Sequence, residues 1–298
     1  LSTETLIEQA NYQMFVVPVI DVQNLGCPSD KNKMWVKYCY QDLETKRPIM
    51  ALMGVSPHFG SDIPNLANWK LEMDKGSKSK LFNSTFNMIL HQMFHLIGFN
   101  SNLFSQFLNP ETGGTVNVMS NMDFMKDEIH STLNKPTPQS TLTGYMFTHK
   151  SLSHKKSSDS AKEYYNCNKN DNQIPLENHG GDGVANNHLE SLLFSGDLMS
   201  ANVDYENAYI SRITIAIILS TGWFKENPQN KIDGGRFIYG KNMGCNFLDG
   251  KMITDDQPNF HHFCALPGEY GCSPNLEGIG QCNAKENCLT EQCNDNVC

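Results

Sequence analysis

The chain reads as an α+β protein. A small twisted sheet comes first, followed by one amphipathic helix. A long central insertion, a helical and irregular C-terminal part and a disulfide-rich tail complete it. Three observations predict this order. Short β-rich runs precede a helix-period segment over 85–97, and the stretch 134–154 is crowded with Pro, Thr, Ser and Gly. Cys264, Cys272, Cys282, Cys288, Cys293 and Cys298 gather at the end. At 298 residues the chain can bury a sizeable core. The divisions that follow are an N-terminal subdomain over 1–98 and an inserted region over 99–187. A C-terminal subdomain over 188–263 and a Cys-rich tail over 264–298 come after them.

The elements follow in order. The run Met14-Phe15-Val16-Val17-Pro18-Val19-Ile20 is apolar and β-branched, 34–40 alternates, and 50–55 is a third apolar run, so each predicts a strand. Phe86, Ile89, Leu90, Met93, Phe94 and Ile97 then recur at helical spacing. Ser84 or Thr85 is expected to cap that helix and Gly98 to stop it. Loop or irregular structure is predicted over 134–154. A last helix over 205–221 carries Ile210, Ile213, Ile217 and Ile218 on one stripe and is closed by Gly222. From Cys264 onward little apolar residue separates the cysteines, so crosslinks rather than a core must hold the tail.

The most informative segment is His91-Gln92-Met93-Phe94-His95. Two histidines four apart share a helix face, so both imidazoles can reach one metal ion. In the H-E-x-x-H signature the residue after the first histidine is a glutamate that takes a proton from water on zinc. Here it is Gln92, whose amide has nearly the same shape and can hydrogen-bond water but offers no basic carboxylate. A zinc site needs a third protein ligand. His188 is the best candidate, and His179, beside Gly180-Gly181, is the substitute. The plain alternative for the pair is two core histidines bonded to backbone.

With these residues in place, the chain resembles the leishmanolysin family of zinc metallopeptidases, a branch of the metzincins. The likeness rests on His91, His95 and Gly98-Phe99, then, after a long insertion, Gly180-Gly181, His188 and Met199. It extends through Arg47-Pro48-Ile49, Gly54-Val55-Ser56-Pro57, 161–167, 214–224 and 240–247, in family order over roughly residues 14 to 282. The resemblance implies a metzincin-like fold, zinc held by His91, His95 and His188, and Met199 in a turn beneath the metal. It also implies hydrolysis of polypeptides. Gln92 stands at the family's glutamate position and departs from it. The site as written is therefore expected to hold zinc and to be inactive or strongly impaired. Gln92 is either an engineered change that silences a peptidase or natural. If natural, the chain is a pseudoprotease serving binding, adhesion or assembly at a cell surface. A metal-free structural surface protein is the third class.

Composition supports a secreted or cell-surface protein. Ten cysteines, with no C-x-x-C pair, read as disulfides formed in an oxidising compartment, with Cys27 and Cys39 placed to pair. A net charge of −9 argues against nucleic acid as a partner. The partner expected is a polypeptide substrate or another protein. The basic clusters at 75–80 and 154–156 read as solvated loops. Asn83-Ser84-Thr85 is an N-glycosylation acceptor, expected in a loop before the helix. No signal peptide is visible, and the longest apolar stretch, 213–219, is far short of the roughly 20 residues of a transmembrane span. The chain is expected to be a piece of a longer precursor, with any surface anchor outside it.

Overall fold

The three early runs assemble as a sheet because the second and third form a hairpin, leaving the third strand between two partners. The computed structural model describes residues 13–18, 34–55, 74–75, 79–109, 112–125, 146–168, 173–178, 180–181, 183–227, 237–248, 270–272 and 278–281. The chain divides into two compact units. One is Leu1–Val116 with Asp204–Ala208 and Thr221–Lys225, and the other is Asn117–Val203 with Tyr209–Ser220 and Glu226–Cys298.

In the first unit β1 (Gln13–Pro18), β2 (Met34–Gln41) and β3 (Pro48–Val55) run in the order β1-β3-β2. β1 is parallel to β3 and β2 is antiparallel to it. Ala51 and Met53, two apart on the central strand, are buried, as a period of two demands. The β2–β3 turn is closed by Asp42, whose Oδ1 accepts from the Thr45 amide at 2.7 Å and the Thr45 hydroxyl at 2.6 Å. Those bonds hold its carboxyl below the usual range. Trp35 faces Gly54 across the pair, and a Cβ at 54 would meet the indole at 2.1 Å. The pairing slips at Cys39, between Tyr38 and Tyr40. Cys39 carries a free, exposed thiol, which corrects the expected bridge to Cys27; Cys27 lies outside the described residues.

α1 (Lys80–Ile97) begins earlier than expected. Its cap is Ser79, whose hydroxyl accepts from the Phe82 amide at 3.1 Å, and not Ser84 or Thr85. Ser79 lies in the lysine-rich stretch read as loop, so local cap chemistry overrides the charge pattern. Asn83 consequently sits in the first turns of α1 rather than in a loop. The buried residues are Thr85, His91, Phe94, His95 and Leu96, whereas Phe86 and Met93 are exposed. Gly98 ends the helix with its N–H on Phe94 O.

Beyond it an aromatic relay of Phe99, Phe104, Phe107 and Trp223 packs edge to face at 5.8 Å per step. β4 (Phe107–Leu108) pairs with β5 (Thr115–Val116) in a small hairpin. The 221–225 segment is fixed to this unit by the Leu108 amide on Thr221 O at 2.8 Å and by Trp223 Nε1 on Thr45 O at 2.8 Å.

The second unit contains β6 (Met119–Met125), β7 (Met146–Leu152) and β8 (Ile174–Pro175), antiparallel in that order. The stretch expected to be irregular over 134–154 therefore includes a paired strand. α2 (Lys155–Tyr165) starts in the basic cluster read as loop, because His154 Nδ1 accepts from the Lys156 amide at 3.3 Å. α3 (Arg212–Ser220) is shorter than the expected 205–221 helix, since Ser211 caps it through the Thr214 amide at 3.1 Å.

α4 (Gly244–Leu248) is joined to the end of α2 by the Cys167–Cys245 disulfide, which spans 78 residues. Tyr165 is fully buried beside it, stacked on Phe247 and donating to Leu193 O at 3.0 Å. In the tail, β9 (Tyr270–Cys272) and β10 (Ile279–Gln281) form an antiparallel pair. Cys264, Cys282, Cys288, Cys293 and Cys298 lie outside the described residues.

Gly222 has φ +74, and a Cβ there would lie 2.8 Å from Leu108 O, whereas Gly113, at φ +70, has open space around it. Gly113→Ala is expected to cost only the left-handed backbone term, about 1–2 kcal/mol. Gly222→Ala should cost more, roughly 2–4 kcal/mol, because backbone must also move. Urea unfolding midpoints of the two variants check the ranking, and equal losses would refute the close approach.

Candidate metal centre

The end of α1 aims two imidazoles at each other. His91 and His95 are one turn apart, both are buried, and their Nε2 atoms are 3.0 Å apart with rings at 88°. The orientation of His95 comes from the turn after Gly98. That turn brings Phe99 O to 2.7 Å from His95 Nδ1. A carbonyl only accepts, so Nδ1 carries the proton and Nε2 presents its lone pair. Phe99 is held in turn by its amide on Phe94 O at 2.9 Å and by the aromatic relay below it.

His188 is oriented in the same way. Its Nδ1 is 3.0 Å from Val184 O, in a turn closed by the Val184 and Ala185 amides on Gly181 O. Burial pushes its pKa below the usual histidine value, while the bond to Val184 and nearby Glu177 pull the other way. The net result favours the neutral, ligating form. One ring nitrogen from each of His91, His95 and His188 lies within 4.8 Å of the others. Tetrahedral zinc, with Zn–N near 2.0–2.1 Å, spaces its ligand nitrogens about 3.3 Å apart. Three buried imidazoles, two with Nδ1 on a carbonyl, are a donor set whose chemistry suits such an ion, and three protein ligands would leave a fourth position open.

Met199 reaches the neighbourhood of His188 through backbone pairing. The Leu189 amide donates to Met199 O at 2.8 Å and the Ala201 amide to Leu189 O at 3.2 Å, while the Glu177 amide holds His188 O at 2.9 Å. The turn that presents Met199 is built on Asp197, fully buried. Its carboxylate accepts from the Met199 amide at 2.6 Å, the Ser211 amide at 3.1 Å and the Thr214 hydroxyl at 2.9 Å. Burial pushes the Asp197 carboxyl up, these bonds pull it back, and the net position is above the ordinary value.

The structure thus brings His91, His95 and His188 together and places Met199, also buried, one ladder step from the third. Gln92 is half-buried on α1 immediately after the first. His179, the substitute third ligand, lies outside the described residues. Sequence reasoning missed Asp197, Tyr205 and the two orienting carbonyls. Carbonyls carry no residue-type signal. Asp197 was visible only as an acid between apolar neighbours, its donors lying 14 and 17 residues on. Tyr205 was absorbed into a helix that does not form there.

A family model described as leishmanolysin peptidase matches residues 64–291. The chain is 21% identical to a leishmanolysin-like peptidase of Drosophila melanogaster, over 90% of this chain and 40% of that protein. It is 22% identical to a leishmanolysin-like peptidase of Caenorhabditis elegans, over 78% and 34%. Likeness to a leishmanolysin homolog of Crithidia fasciculata is 27%, over 42% and 19%. The chain spans less than half the length of these relatives.

Asp197→Asn keeps the shape but replaces one acceptor oxygen by an amide NH2 facing N–H and O–H donors, so it is expected to cost about 1–3 kcal/mol at neutral pH. Because the folded carboxyl titrates above its unfolded value near 4, protonation stabilises the fold fully below that value. The stabilisation is lost as pH rises through the folded pKa. Denaturant titrations from acid to neutral pH should therefore show a wild-type term that falls with pH and is absent from the variant. Parallel curves would remove Asp197 as its source.

Proposed function

The chain belongs to the leishmanolysin family of metallopeptidases, and from that premise we propose that it is a zinc metalloendopeptidase scaffold silenced or strongly impaired by Gln92. One observation carries the reading. The three buried imidazoles converge, and the residue following the first of them is an amide. His91, His95 and His188 would hold the metal, which when bound supplies Lewis-acid polarisation of a scissile carbonyl and acidifies water toward neutrality. The chain's own contribution is orientation. His95 and His188 keep their Nδ1 protons on Phe99 O and Val184 O and so offer Nε2. At position 92 a proton must be taken from water and passed to the leaving amine. The Gln92 amide can hydrogen-bond that water but cannot take the proton. Met199 is proposed as the family's turn methionine.

The substrate class is polypeptide, and the proposed setting is extracellular or at a cell surface. The Cys167–Cys245 disulfide supports that setting, since such bonds persist in oxidising compartments. Among the described residues no helix is long and apolar enough to cross a membrane. Gln92 also favours a second reading, a natural pseudoprotease whose fold serves binding, adhesion or assembly.

Purified chain is expected to carry about one tightly held zinc, measured by metal analysis after dialysis. His188→Ala should lose it, whereas Gln92→Glu should retain it. Against an unfolded protein substrate, Gln92→Glu should cleave at least about 10²-fold faster than the chain as written, the cost of a missing general base. Zinc without cleavage in either form would favour the binding role. Equal cleavage by both would overturn the account of Gln92.

A further inference from the structure

Segment 204–208 belongs to the first unit although it lies far from the rest of it in sequence. It is attached to α1 at three levels. Lys80 Nζ pairs with Glu206 Oε1 at 2.7 Å, Asn87 Nδ2 donates to Tyr205 O at 2.8 Å, and the Tyr205 ring meets the His91 ring edge to face, centroids 5.5 Å apart. Positions 80, 87 and 91 fall on one side of the helix, because steps of seven and four residues are close to whole turns. The segment therefore lies along that side as a strap and ends on the first metal-site histidine. Of the three attachments the ion pair is highly exposed on the lysine side and contributes little. The amide bond and the ring contact are part-buried and carry the geometry.

The segment is shaped for this task by its own bonds. Asp204 caps it, accepting from the Glu206 amide at 3.0 Å and from Asn207 Nδ2 at 2.8 Å. The Asn207 amide closes a turn on Asp204 O at 3.1 Å. Tyr205 thus projects from a fixed turn, and its hydroxyl makes no hydrogen bond to a described residue. The contact with the imidazole is made by the ring rather than by the hydroxyl.

We propose that Tyr205 is a positioning residue for the metal centre. With its backbone carbonyl held by Asn87 Nδ2, its ring fixes the His91 imidazole in the orientation that sets its Nε2 3.0 Å from that of His95. His95 and His188 are oriented by backbone carbonyls, and for His91 an aromatic wall takes a share of that role. A ligand freed to rotate pays the orientation cost on binding, and loss of such outer support lowers metal affinity about 10- to 100-fold.

The proposal rests on the zinc-site reading, and its test separates the two. The full chain and its Tyr205→Phe and Tyr205→Ala variants are titrated with zinc against a chromophoric chelator. The visible spectra of their cobalt forms are recorded alongside. The expected result is unchanged affinity for Tyr205→Phe and about tenfold weaker affinity for Tyr205→Ala, with an altered cobalt spectrum and unchanged metal-free melting. Unchanged affinity in Tyr205→Ala overturns the proposal while leaving the metal site standing. Equal loss in both variants overturns it in favour of the hydroxyl. No zinc binding by the unmodified chain overturns the metal-site reading and this inference with it. Should Tyr205→Ala lose cooperative melting, Asn87→Ala decides, because it frees the strap without touching the ring. Weaker zinc at unchanged metal-free melting supports the clamp, and unchanged affinity refutes it.

Discussion

The site depends on one close approach, two imidazole Nε2 atoms 3.0 Å apart in a buried setting. Helix geometry forces the approach, since residues four apart stand one above the other. Two lone pairs at that distance repel, so either a proton or a cation must sit between them. His95 already spends its proton on Phe99 O, so any proton between the two nitrogens is carried by His91 Nε2. His188 likewise keeps its Nδ1 proton on Val184 O and is buried, which disfavours its charged form. The tautomers are thus fixed by ordinary loop carbonyls, and the loops exist because Gly98 and Gly181 end or turn the chain just where those carbonyls are needed.

The third histidine raises a different problem, because it lies far along the chain in an irregular region. The solution is a set of short backbone pairings instead of a sheet. Leu176 pairs with Leu189, Leu189 with Ser200, and Asp197 with Tyr209. Each is an isolated bridge, and alone each would be marginal. Asp197 joins them by accepting from the Met199 and Ser211 amides and from Thr214, so one buried carboxylate ties the methionine turn to the start of the helix over Arg212–Ser220. An acceptor surrounded by donors stabilises only while every donor is satisfied, so this network is intolerant of partial loss.

Much of this was legible in the sequence, and what was not has a common cause. The strand runs, the helix stop at Gly98 and the histidine pair are local patterns, and the structure places them as read. The helix start was misread because Ser79 sits among lysines, and its hydroxyl on the Phe82 amide outweighs the polar composition around it. The expected helix over 205–211 was displaced by tertiary bonding. Asp204 closes a turn, and Tyr209 is drawn into pairing with residues 196–198. Of the residues read at helical spacing, Phe94 is buried beside His91 and His95, whereas Phe86 and Met93 are exposed. Periodicity identified a helix correctly but could not say which of two overlapping stripes the core would choose. The Cys167–Cys245 bridge was equally closed to sequence reasoning, since spacing alone does not select among pairings.

What holds a metal here and what would use it are different atoms. On the proposed reading the ligand nitrogens belong to His91, His95 and His188, oriented by two carbonyls and the ring of Tyr205; position 92 takes part in none of these contacts. A change at 92 can therefore remove a base without disturbing the donor set, and the glutamine side chain suits that position sterically. The burial of all three imidazoles argues in the same direction. Burial withdraws all three rings from water, so each ring nitrogen needs a partner inside the fold, and a shared cation is one partner that would serve all three at once. Ligation and proton transfer are thus separable properties of this segment, and the proposed reading assigns the loss to the second alone.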